Sequence, residues 1–161
     1  MENNKILIID DEEIVHESIN DALEDEGYEV ISAYNGEEGL KAYEVHKPIL
    51  LILDLRMPVM NGNEFLVKLQ VKPDAPYSVI VLTGHGCSED METCYDLGIR
   101  SFLQKPFNIY ELRSLVQSCI NLKRTELKLT SDVARREDAE TQLGEYRKHL
   151  NKMFDSLKID I

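Results

Sequence analysis

The chain has 161 residues, of which 43% are apolar and 30% charged, and a net charge of −12. This length allows one ordinary domain with a real core plus an appendage; residues 1–5 are largely polar and no apolar run approaches 18 residues, so the expectation is a cytoplasmic protein with neither signal peptide nor membrane span. Residues 1–121 hold 22 acidic against 9 basic side chains and residues 122–161 hold 8 against 9, so the main domain carries the wrong sign for binding nucleic acid or an anionic membrane.

Strand-like apolar runs alternate with amphipathic stretches along residues 1–121. Strands are predicted near 5–10, 28–33, 49–54, 78–83 and 100–104, and helices near 13–26, 36–46, 62–71, 87–97 and 107–121, with Gly27, Gly36 and Gly98 as punctuation. The runs Ile6–Ile9, Ile49–Leu53 and Val79–Leu82 are continuous rather than alternating, as strands covered on both faces require. Five βα repeats predict an α/β fold with a doubly wound parallel sheet. Its second strand, the least apolar, belongs at an edge. Cys87, Cys94 and Cys119 are odd in number and lack CxxC spacing, which predicts reduced thiols rather than a disulfide framework.

Beyond residue 121 no strand signal returns. Leu122, Leu129, Leu143, Leu150 and Leu157 form one heptad column broken only by Arg136, with Ala139, Tyr146 and Met153 as a second column. Such a stripe has no core of its own, so residues 122–161 are expected to continue the fifth helix as a helical, coiled-coil-like stalk that makes the chain a homodimer. The alternatives are a helix folded back on its own domain or frayed at Arg136 and Gly144, or one broken where Thr130-Ser131-Asp132 caps a new helix.

Asp10, Asp11, Asp54, Thr83, Lys105 and Pro106 all stand where an apolar run ends. In a parallel sheet such positions converge at the carboxyl edge, where open α/β folds bind ligands. Three crowded carboxylates raise one another's pKa values unless a positive charge lies among them. All-oxygen ligation without His or Cys favours a hard ion, Mg²⁺ or alternatively Mn²⁺. The plainer reading, carboxylates capping the helices that follow, suits Asp10 taken alone but not all three together.

The Asp10-Asp11 pair, the block Asp54-Leu-Arg-Met-Pro-Val-Met-Asn-Gly62, Thr83-Gly84 and Lys105-Pro106-Phe107 together resemble the receiver domain of two-component response regulators over residues 4 to about 121. The resemblance implies a flavodoxin-like (βα)5 domain of strand order 2-1-3-4-5 with a C-terminal helical extension. It implies that Asp54 takes a phosphoryl group from a sensor histidine kinase or phosphotransfer protein. Mg²⁺ would be held by Asp11, by Asp10 mainly through water, by Asp54 and by the backbone carbonyl of Arg56. Lys105 would contact a phosphoryl oxygen, and the bond before Pro106 would be cis. Thr83 and Phe102 would form the switch pair, Phe in place of Tyr removing a hydroxyl. Arg56 and His85 would flank the phosphoryl group and influence its lifetime. Such a module is a phosphoacceptor rather than an enzyme, and its signal would pass through the fourth helix, fifth strand and C-terminal helix to an effector domain beyond this chain.

Two other functions compete. A phosphatase of the haloacid dehalogenase type also uses an aspartate and Mg²⁺, but it wants Asp-x-Asp after its first strand and a longer chain. A phosphorylation-independent interaction module would usually have lost an acidic or Lys position, and none is lost here. His85 with Cys87 and Cys94 lacks a fourth zinc ligand. His149 precedes Leu150 rather than an acidic residue, which makes it a solvated helix position rather than a kinase phosphoacceptor.

Overall fold

The computed structural model describes residues 1–84 and 88–157, with the side chain of Ser88 left aside. Five parallel strands, β1 (Lys5–Ile9), β2 (Glu29–Ala33), β3 (Leu50–Asp54), β4 (Ser78–Thr83) and β5 (Ser101–Gln104), form one sheet of order β2-β1-β3-β4-β5. Five helices connect or follow them: α1 (Glu13–Leu23), α2 (Gly36–His46), α3 (Gly62–Leu69), α4 (Ser88–Asp96) and α5 (Ile109–Leu157). The doubly wound architecture expected from the alternating pattern is thus the observed one, with β2 at an edge.

The continuous apolar runs follow from two separate cores. Side chains of successive strand residues point to opposite faces, so Ile6 and Ile8 pack with Ile19, Leu112 and Val116 on one face. Leu7 and Ile9 pack with Phe65, Leu66 and Cys94 on the other. Every β3 residue from Leu50 to Leu53 is fully buried, each such side chain contributing roughly 1.5–3 kcal/mol of transfer free energy.

One boundary departs clearly from the sequence reading. Helix α1 ends at Leu23, and Glu24–Glu26 tighten into a 3-10 turn before Gly27 at φ 77°. Three consecutive carboxylates at a helix C-terminus oppose the macrodipole, and glycine accepts the left-handed turn. The fifth helix runs on into the C-terminal stalk as expected, α5 being continuous from Ile109 to Leu157. No break occurs at Thr130-Ser131-Asp132, because Thr130 Oγ1 donates to Glu126 O one turn back instead of capping. The chain divides into two units, residues 1–123 and the residues from Arg124 onward; in the second, all side chains from Arg124's successor Thr125 to Leu157 are exposed.

Candidate functional site

The carboxyl edge of the sheet gathers the charged residues. Asp10 follows β1 and is fully buried; Asp54 ends β3 and Thr83 ends β4, both 7% exposed. Asp11 and Glu12 lie exposed beside them, and ligand oxygens of Asp10, Asp11, Glu12 and Asp54 fall within 4.8 Å of one another.

Lys105, one residue past β5, holds this group together. Its Nζ donates to Asp10 Oδ2 at 2.7 Å, Glu12 Oε1 at 3.3 Å and Asp54 Oδ2 at 3.3 Å. Its backbone N–H donates to Thr83 O at 2.7 Å, and the Lys105-Pro106 bond is cis. The other carboxylate oxygens meet backbone: Asp10 Oδ1 accepts from Glu12 N–H at 2.9 Å and Asp54 Oδ1 from Arg56 N–H at 3.2 Å. Burial pushes the Asp54 carboxyl above its ordinary pKa; Asp10 adds to this, while the Arg56 N–H and Lys105 oppose it. Burial works against the Lys105 charge too, but hydrogen bonding to Asp10 and the charges of Asp10 and Asp54 prevail and hold its pKa above the usual value.

The loop after Asp54 is shaped by a close approach. A Cβ on Gly62 would lie 2.6 Å from Asp54 O and 2.7 Å from Leu55 Cα, and Gly62 N–H donates back to Leu55 O. Glycine is therefore required by space, and Asn61 caps α3 through Glu64 N–H. Among the described residues nothing lies within 4 Å of a Cβ placed on Gly84.

Phe102 on β5 is half-buried, with its ring 5.0 Å from that of Tyr95 on α4. Arg56 reaches α4, its Nε 3.6 Å from Asp90 Oδ2. His85 and Cys87 lie outside the described residues, so neither the phosphate-lifetime role of His85 nor the zinc alternative has a geometry here.

Three contacts escaped the sequence reading. Glu12 joins the Lys105 cluster, as an unbroken acidic triplet after β1 would allow. Asp90 of α4 engages Arg56 of the loop after β3, a contact between segments remote in sequence that no local pattern encodes. His16, on the buried face of α1 with Val15 and Ile19, donates from Nε2 to Asp10 O at 2.7 Å, while Nδ1 lies 2.9 Å from Ser32 Oγ and the ring lies tilted by 36° against that of Tyr34, 4.4 Å away. A histidine on an apolar helix face was the available signal.

Among the described residues the clustered ligand atoms are the carboxylate oxygens of Asp10, Asp11, Glu12 and Asp54, an all-oxygen set that fits a hard divalent ion. The acidic pocket is compatible with Mg²⁺ and with phosphorylation of an aspartate.

Comparison with known proteins agrees with this geometry. Residues 6–117 match the family described as response regulator receiver domain. The chain is 33% identical over 141 residues to the alkaline phosphatase synthesis transcriptional regulatory protein PhoP of Bacillus subtilis, covering 88% of this chain but only 58% of that relative. It is 34% identical to sporulation initiation phosphotransferase F of the same organism, covering 76% of this chain and 98% of that one. A CheY-like response regulator receiver domain protein from Methanospirillum hungatei superposes with a TM-score of 0.71 at 29% identity, over 78% of this chain and 99% of its own. With a matched segment spanning more than half of its length, the chain belongs to the response regulator receiver domain family.

Proposed function

We propose that Asp54 accepts a phosphoryl group from a phosphohistidine on a histidine kinase or phosphotransfer protein, and that the resulting change passes through α4, β5 and α5 to an effector outside this chain. Membership of the receiver family implies phosphorelay signalling, and receivers are signalling domains rather than classical enzymes. The observation that carries the specific reading is the Lys105 ammonium held between Asp10 and Asp54 at the sheet edge.

In the transfer, an Asp54 oxygen attacks phosphorus, the P–N bond breaks, and the imidazole leaves with the bonding pair and is reprotonated by solvent. Lys105 is in place to neutralise a phosphoryl oxygen as negative charge gathers on the aspartyl phosphate. Asp10, Asp11, Asp54 and the Arg56 carbonyl would hold Mg²⁺, which when bound neutralises the equatorial phosphoryl oxygens. Thr83, at the end of β4, would turn its hydroxyl toward the phosphoryl group and vacate space into which the Phe102 ring would turn, changing the surface near α4 and β5. Arg56 and His85 are the residues proposed to influence the lifetime of the phosphoryl group.

A groove beside the site supports a protein phosphodonor. Lys105, Pro106, Phe107 and Ile109 face Glu12, Ile14, Val15 and Ser18 of the α1 side across about 580 Å³. Ile14 is 63% exposed there, and the Lys105 side chain lines both the groove and the acidic cluster, so a phosphodonor helix seated in the groove would lie next to Asp54. The exposed heptad stripe of α5 supports homodimerisation. Among the described residues no helix is long and apolar enough to cross a membrane.

The test is intact mass after incubation with a small acyl phosphate, with and without Mg²⁺, beside Asp54→Asn. A Mg²⁺-dependent, base-labile adduct of one phosphoryl group, absent from the variant, is expected. An adduct that persists in Asp54→Asn would assign the phosphoacceptor elsewhere.

A further inference from the structure

In α5 the heptad column Leu129, Arg136, Leu143, Leu150 and Leu157 occupies the a positions, and Asp132, Ala139, Tyr146 and Met153 the d positions. The a-position leucines are 61%, 68%, 40% and 71% exposed, and Tyr146 and Met153 are 69% and 50% exposed. An apolar face of four heptads without a core of its own requires a partner. One layer of that face is polar. Asp132, Arg135, Arg136 and Ala139 line a hollow of about 370 Å³. These are the d, g, a and d residues that form the hole receiving an a-position knob in a parallel two-stranded coiled coil.

We propose that this hollow receives Arg136 from a second copy of the chain, so that α5 pairs in parallel and in register through a central Asp132–Arg136 layer. This rests on the homodimer reading above and specifies its geometry. Charge supports self-recognition. Within one helix Asp132 is engaged by Arg135, and with Glu140 beside them each chain brings two acidic and two basic side chains to the layer, so a second copy leaves it neutral. At the g position Arg135 would meet Glu140, at e of the other helix, the pairing that parallel coiled coils use to set orientation. Small Ala139 leaves the room for two arginine stems.

Orientation is constrained independently. A head-to-tail pairing that also opposed Asp132 and Arg136 would align Leu143–Leu157 with residues 125–111. In that register Leu143, Leu150 and Leu157 would face Thr125, Ser118 and Glu111, which offer them no apolar partner. The parallel arrangement uses only the exposed stripe.

The experiment combines sedimentation of the full chain with disulfide trapping in a Cys87→Ser, Cys94→Ala, Cys119→Ala background. Met153→Cys, at d, is expected to crosslink to itself in a dimer, whereas Asp155→Cys, on the opposite face, is not. Arg136→Asp is expected to weaken the dimer at least tenfold, and adding Asp132→Arg to restore it; circular dichroism of each variant checks that helix content is kept. A monomeric wild-type chain would overturn the homodimer reading and this geometry together, leaving phosphorylation of Asp54 untouched. A dimer in which Met153→Cys fails to crosslink, or that ignores Arg136→Asp, would overturn this geometry alone.

Discussion

Lys105 Nζ lies 2.7 Å from Asp10 Oδ2, joining the residue after β5 to a fully buried carboxylate at the end of β1, with β3 and β4 between them. The ammonium neutralises charge that would otherwise accumulate at the sheet edge, and its reach to Asp54 keeps one donor beside the proposed nucleophile. Lys105→Ala leaves Asp10 buried without its ionic partner, at a cost of about 2 kcal/mol of folding stability. Urea denaturation in the absence of Mg²⁺ measures this. The same variant is expected to slow acyl-phosphate phosphorylation of Asp54 by roughly a hundredfold, the usual loss when one preorganised donor is removed from a developing charge.

Asp54→Asn is expected to raise, not lower, stability at neutral pH. Burial raises the folded-state pKa of Asp54, so ionised Asp54 costs stability relative to the unfolded chain. That cost is full above the raised pKa, shrinks as pH falls through it, and vanishes below the ordinary carboxylate value, where both states are protonated. The melting advantage of the variant should therefore be largest near neutrality and disappear in acid. Saturating Mg²⁺ should reverse the order: at a hundred times its dissociation constant a bound ion adds about 2.7 kcal/mol, and the wild type keeps the carboxylate that binds it.

How much of this was legible depended on the range of each interaction. The strands could be read because burial on both faces leaves runs such as Leu50–Leu53 with no polar interruption. The edge position of β2 followed from its weaker apolarity, and strand ends located the acidic cluster. The end of α1 could not be read the same way, nor could the choice between a continuous α5 and one capped afresh at Thr130. Glu24–Glu26 are acceptable helix formers by propensity and fail only through their position at a C-terminus. Thr130 acts as a cap or bonds back to Glu126 according to what the helix before it does. The Arg56–Asp90 and His16–Asp10 contacts depend on tertiary placement alone.

Gly62→Ala tests whether the loop after β3 positions Asp54. An added Cβ would meet backbone at 2.6 Å and 2.7 Å, and main chain cannot swing aside as a flexible side chain can. The expected loss is about 1–3 kcal/mol, the range of overpacking in a close-packed site. Because the clash falls on Asp54 O itself, phosphorylation measured well below the melting temperature should slow as well. Gly144→Ala, where no atom lies within 4 Å of the added Cβ, should instead gain up to about 1 kcal/mol of helix stability.

Asp90→Asn separates a structural from a kinetic role for the Arg56–Asp90 pair. Its 3.6 Å separation and the partial exposure of both side chains, 59% and 38%, place it among surface ion pairs, so the stability change should stay within about 1 kcal/mol. The kinetic effect has a definite sign. Arg56 follows Asp54 by two residues, and a guanidinium less attracted to α4 shifts toward the dianionic phosphoryl group, where it offsets charge and crowds the approach of water. A shift of about 0.5–1 kcal/mol in that balance corresponds to a roughly two- to fivefold longer aspartyl-phosphate half-life. Intact mass followed over time after removal of the acyl-phosphate donor gives the half-life directly. An unchanged or shorter half-life in Asp90→Asn, with melting unchanged, would show that Arg56 does not protect the phosphoryl group.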